Sequence, residues 1–198
     1  MQDEEGLTTD AGLAALQGTS HLKWIGLRGT KVTDAGLQHL KSLRNLRGVS
    51  LCRTQITDDG MRQLATLRGL RTLDVNETAI TDKGLATLTS LTDLEGLGLR
   101  STAITDAGMV HLANFKQLNT LFISNTGVSD AGLESLHHLP KLAWVDLSGS
   151  QVTEAGIEKL ASLPAIRVLV CGYTQISDEA ASRIMQQRPG LRVMKRKP

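Results

Sequence analysis

Apolar residues recur along this chain on two rhythms that alternate. In the stretch from Leu46 to Gly69, Leu46, Val49 and Leu51 are apolar, with Gly48, Ser50 and Cys52 between or beside the last two. That alternation predicts a short strand with one buried face. Met61, Leu64 and Leu67 then return at intervals of three, which predicts a helix, and Thr57 or Asp58 supplies the oxygen that caps its free amides. The pair of elements is then copied: the quartet Thr9 to Gly12 recurs, in varied form, from Thr33, Thr57, Thr81, Thr105, Ser129, Thr153 and Ser177, always at the same interval. Uninterrupted self-similarity at this period marks a solenoid of stacked units. Strands are predicted near residues 22 to 28 and at the same interval thereafter, the last shifted by one, with helices starting near each Thr-Asp.

Equivalent units must stack in parallel for every strand to pair with the next. A helix needs about 10 Å of width and a strand about 4.8 Å, so the stack must curve, with strands on the concave side and helices on the convex side. The fold class is therefore an α/β solenoid with a curved parallel sheet, in a single domain spanning residues 1 to 198. The quartet glycines, Gly12 to Gly156, fall in the first helical turn, where glycine costs roughly 1 kcal/mol relative to alanine. Close approach of the helix start to the strand layer would explain them, and Ala180 in the last copy shows that a methyl fits at that end. The aspartates Asp10, Asp34, Asp58, Asp82, Asp106 and Asp130 stand where a negative charge suits the helix dipole, so they read as caps. The eighth unit, with Ala180, Ala181 and one extra residue between Asp178 and Leu191, reads as a C-terminal cap. The amino-terminal unit is incomplete, and with its acidic Asp3, Glu4 and Glu5 it is expected to fray first.

The pattern LxxLxLxxT, followed by a hydrophobic residue, Thr-Asp and GLxxLxxL, is similar to the leucine-rich repeat over about residues 7 to 195. The variant resembled is the one common in large bacterial arrays and related to the cysteine-containing repeats of F-box proteins. Where many members carry Asn after the strand, this chain has Thr30, Thr54, Thr78, Thr102, Thr126, Ser150 and Thr174. A hydroxyl in that place can hydrogen-bond the backbone of the neighbouring turn, so the column reads as a structural ladder. The resemblance implies a binding scaffold and leaves the ligand open.

Composition narrows the function classes. Six of the 22 cations, Arg183, Arg188, Arg192, Lys195, Arg196 and Lys197, fall after residue 182, so the body carries more acids than bases. An acidic body predicts no broad nucleic-acid surface, and the basic tail reads as a solvated terminus. The repeats break every apolar run well short of a membrane span, and no basic segment followed by an apolar stretch opens the chain. Cys52 and Cys171 lie five units apart, roughly 24 Å at strand spacing, beyond disulfide reach, so both are predicted to be free thiols. Cys171 shares a core column with Leu27, Leu51, Val75, Leu99, Ile123 and Leu147.

Catalytic constellations dissolve into the repeat. His137 and His138 beside Glu134 point different ways and have no third ligand at a useful spacing, so no metal or other cofactor is expected. GxSxG and phosphate-cradling glycine loops are absent, and none of the five histidines falls in a strand position facing the concave side. The chain is read as non-enzymatic.

What varies between units is the concave face. Trp24, Phe122 and Trp144 fall in its columns, with Tyr173 just beyond, while Phe115 alone takes a core column. Rigid, wide side chains suit a contact surface because they lose little entropy on binding. The candidate site is therefore Phe122, Trp144, Val170 and Tyr173, with Val168 beside them, flanked by Arg100, Asn125 and Asp146, and with Trp24 as a separate contact. The expected function is capture of a protein or peptide on the concave face by a monomer. The alternative is the substrate-recognition part of a larger enzyme or effector, F-box-like or ubiquitin-ligase-like, whose catalytic domain lies outside this chain; the first repeat, which begins part-way through, keeps that reading open.

Overall fold

The computed structural model describes residues 9–195; Asp3, Glu4, Glu5, Arg196 and Lys197 lie outside the described residues. Eight strands form one parallel sheet in chain order. They are β1 (Trp24–Gly26), β2 (Gly48–Ser50), β3 (Thr72–Asp74), β4 (Gly96–Gly98), β5 (Thr120–Phe122), β6 (Trp144–Asp146), β7 (Val168–Val170) and β8 (Arg192–Met194). Their register repeats from pair to pair, with Ile25 beside Val49, Val49 beside Leu73, and so on to Leu169 beside Val193. The strands are shorter than the alternation predicts, and the last is not shifted: β8 follows β7 in unbroken register. Gly190, at φ +96°, stands in the column of Ile166, and Leu191 fills the core one residue later, so the extra residue is absorbed in the turn before the strand.

The helices are short. They are α1 (Asp10–Ala14), α2 (Asp58–Leu64), α3 (Asp82–Thr87), α4 (Asp106–Met109), α5 (Asp130–Leu133), α6 (Glu154–Ala161) and α7 (Asp178–Gln187). The second unit has a 3-10 helix, Gly36–Ser42, in place of an α-helix, and α3, α4 and α5 each continue into a 3-10 turn. Between helices and sheet runs one continuous aliphatic core, which Phe115 joins fully buried. No helix among the described residues is long and apolar enough to cross a membrane.

The threonine column bonds within its own unit rather than to the neighbouring turn. Each hydroxyl donates to the carbonyl three residues back, from Thr30 to Leu27 (2.7 Å) through Thr174 to Cys171 (2.8 Å). These bonds tie the chain into the turn that leaves each strand.

The aspartates do not cap their own helices as expected: the Thr or Ser before each does so in α2 to α5, and the aspartate reaches into the next unit. Asp82 accepts from the amide (2.9 Å) and hydroxyl (2.6 Å) of Thr105 in the next unit, and Asp10, Asp34, Asp58, Asp106 and Asp130 repeat the arrangement. The receiving hydroxyl then serves its own helix: Thr105 accepts from the Ala107 amide at 3.3 Å. One hydroxyl thus donates backward and accepts forward, which its single hydrogen and two lone pairs allow.

This bridge also explains the glycines, and the reason differs from the expected one. A Cβ on Gly108 would collide with the carboxylate of Asp82, and Gly36, Gly60, Gly84, Gly132 and Gly156 face the preceding aspartate in the same way. The close approach is therefore to the neighbouring unit's carboxylate, not to the strand layer. The end of the array supplies the control. In the seventh unit the acid is Glu154, which turns to Arg183 in an ion pair, and in the eighth the glycine is replaced by Ala180. Without the aspartate bridge, the glycine is no longer required.

Both cysteines are free and buried. Burial pushes the Cys171 thiol up to about 12, with Asp146 adding to the effect, and burial raises Cys52 also. Both thiols are expected to resist a neutral disulfide reagent until the chain unfolds. The folded thiol at Cys171 stays protonated where an unfolded one, near 9.0, ionises. The sign follows: stability is full below about pH 9 and falls as pH rises toward about 12. Urea unfolding at pH 8 and 10.5 should show a smaller loss for Cys171→Val than for the native chain.

Candidate functional site

Alternation along each strand sends one residue to the core and its neighbours to the opposite, concave face. Ile25, Leu73, Leu121 and Val145 point inward and are buried, so Trp24, Phe122 and Trp144 point out. Trp24 is 53% exposed, Trp144 36% and Tyr173 67%, and Phe122 is half-buried. Phe122 pairs with Asp146, and Trp144 with Thr120, so the two aromatics stand diagonally on adjacent strands. Arg100 and Asn125 are exposed beside them.

Val170 does not belong to this surface. It is only 1% exposed, set in register between Asp146 and Met194, while Val168 is buried between Trp144 and Arg192. Both valines are thus buried between their neighbours on the flanking strands.

Asp146 and Asp74 share a local role: each accepts the amide two residues on, from Ser148 (3.0 Å) and Asn76 (3.1 Å). Asp74 also accepts from the Ser50 hydroxyl at 2.8 Å. Asn76 in turn accepts the Arg100 amide at 2.6 Å.

Trp24, expected as a contact apart from the other aromatics, lines the same hollow as Phe122. The Trp24 ring lies across β2, in the space that a side chain on Gly48 would occupy. From there it lines, together with Phe122, a hollow of about 410 Å³ over β3, β4 and β5. Thr72, Asp74, Gly96 and Gly98 form much of its floor. This hollow was not legible from the residues one at a time, although the paired glycines of β4 were a signal for it.

The column after each strand has a conformational constraint of its own. Arg53, Glu77, Ser101, Asn125 and Tyr173 all have φ between 52° and 59°, and Gly29 and Gly149 occupy the same place in their units. Asn tolerates this left-handed region, whereas Arg, Glu, Ser and Tyr pay roughly 1–2 kcal/mol for it. Arg53 and Glu77 hold each other at 2.5 Å, and this hydrogen bond keeps the Glu77 carboxyl below its ordinary range, with Arg100 and Arg28 acting in the same sense. On the convex side, Glu134 is taken by Lys159 and lies 3.9 Å from His137.

A leucine-rich-repeat family model matches residues 68–89, the segment that carries β3, Thr78 and α3. The whole solenoid, with its parallel sheet and convex helices, repeats that unit. The chain has the leucine-rich repeat fold. As such it is similar in fold to internalin F of Listeria monocytogenes, with 22% identity and a TM-score of 0.68 over 94% of this chain and 57% of that one. Internalin C2 of the same organism matches with 27% identity and a TM-score of 0.66, over 94% of this chain and 84% of that one. This leucine-rich repeat chain thus spans 57% of the internalin F chain. Comparison with curated proteins found no match. The leucine-rich repeat fold is that of an interaction module, and neither internalin match bears on the F-box-related likeness.

Relieving the left-handed strain separates stability from surface chemistry. Ser101→Gly is expected to raise stability by about 0.5 kcal/mol, since strain is lost and only glycine's chain entropy and the loss of the long, exposed hydrogen bond from Asn125 Nδ2 at 3.5 Å oppose it. Chemical denaturation with an unchanged denaturant slope is the check.

Proposed function

We propose that this chain is a non-enzymatic recognition module that captures a protein or peptide on its concave face. Residues 1 to 198 act as one unit in this reading, as a monomer, without nucleic acid or membrane as partner. Phe122 and Trp144 are the anchors, Trp24 and Tyr173 add aromatic surface, and Arg100, Asn125 and Asp146 supply the polar rim. The observation that carries the reading is the unequal use of aromatics: Phe115 is spent on the core, while Trp24, Trp144 and Tyr173 stand exposed in columns that vary from unit to unit. Aromatic anchors with polar surroundings are the usual anatomy of a contact whose truncation costs about 2 kcal/mol or more of binding.

Phe122→Ala combined with Trp144→Ala is expected to abolish capture of a specific partner from native lysate, with the melting temperature nearly unchanged. Retained capture would refute the placement of the anchors, and collapse of the fold would show that these aromatics are structural.

A further inference from the structure

We propose that the hollow over β4 receives a cationic side chain, a lysine or arginine of the bound peptide. This rests on the concave-face reading and deepens it. The hollow exists because β4 alone among the eight strands places glycine at both concave positions, Gly96 and Gly98. Packing accounts for only one of them. A Cβ on Gly98 would press on Asn76 and Asp74 at 2.9–3.0 Å, whereas one on Gly96 would meet only the Thr72 side chain, at an ordinary 3.5 Å. Glycine inside a strand weakens it, so the absence of a side chain at Gly96 has its use in the space it leaves.

The lining selects for positive charge. Two carboxylates, Asp74 and Glu95, border the hollow, and among the described residues no Lys, Arg or His does. Glu95 is already engaged by Arg71 at 3.2 Å. Asp74 has neutral donors, the Ser50 hydroxyl and the Asn76 amide, and it forms no ion pair among the described residues. Of the nearby cations, Arg53 is committed to Glu77, and Arg28 and Arg100, which also act on Glu77, do not line the hollow. Trp24 on one side and Phe122 on the other present aromatic surface, which attracts ammonium and guanidinium groups over the ring faces. A guanidinium or ammonium resting there would meet the Asp74 carboxylate, whose Oδ1 faces Gly98 and whose charge has only neutral donors, and charge-assisted hydrogen bonds of this kind are the strong ones. An acidic side chain would face like charge, and an aliphatic one would strip water from Asp74 without replacing it.

The test is a selection of random twelve-residue peptides on the immobilised full chain. Enriched peptides should share a lysine or arginine, and replacing it with norleucine or citrulline should weaken binding about tenfold or more. Asp74→Asn, which keeps the side-chain shape, should do the same. So should Gly96→Val, which fills the hollow with a residue suited to a strand, and its unfolding midpoint should be no lower than that of the native chain. Peptides that depend on Phe122 and Trp144 but are indifferent to their own cations, to Asp74→Asn and to Gly96→Val would overturn this inference and leave concave-face binding standing. Enrichment of no peptide, or binding indifferent to every concave substitution, would overturn both.

Discussion

The stack depends on a carboxylate that leaves one repeat and closes on the helix start of the next. Asp82 reaching the amide and hydroxyl of Thr105 sets the distance between two units, and the glycine at 108 is the space that this reach requires. Each bond is charge-assisted, and such bonds are worth roughly 1.5–3 kcal/mol when a partner is removed. Repeated six times, the contact fixes the convex edge as the strand ladder fixes the concave one. The aliphatic core between them needs only to fill volume, so Leu, Ile, Val, Met and one Phe share its columns.

Because the scaffold is held by the core, the aspartate bridge and the threonine turn, the concave side chains are free to differ. The array uses that freedom unevenly. Glycine bares β4, Trp24 folds across β2, and Phe122 and Trp144 rise on β5 and β6. The left-handed column beyond the strands shows the same tension from the other direction, since Arg53, Glu77 and Tyr173 occupy a backbone shape in which Gly29 and Gly149 would sit unstrained.

Much of this was legible in the chain itself, because a constant period transfers any reading of one unit to all the others. The buried strand positions, the helix starts, the free thiols and the outward aromatics all follow from alternation and capping within a unit. What lay between units was hidden. Asp82 and Gly108 are more than a full repeat apart, and each column has an adequate explanation within its own unit, a dipole for the acid and close approach to the strand layer for the glycine, so nothing in one unit announces that they meet. Neighbour effects across strands misled for the same reason: Val170 alternates outward yet is covered, and Trp24 looks remote from Phe122 until its ring is seen to lie over Gly48.

The double-mutant cycle on Asp82 and Gly108 measures the bridge most directly, because the atoms nearest to a Cβ at Gly108 all belong to Asp82. In the native background Gly108→Ala should destabilise despite the better helix propensity of alanine. In the Asp82→Ala background the same change should be nearly neutral or stabilising, for a coupling of about 1–3 kcal/mol. Additive effects within about 0.5 kcal/mol would show that aspartate and glycine act separately, and that the repeats are joined by something other than this contact.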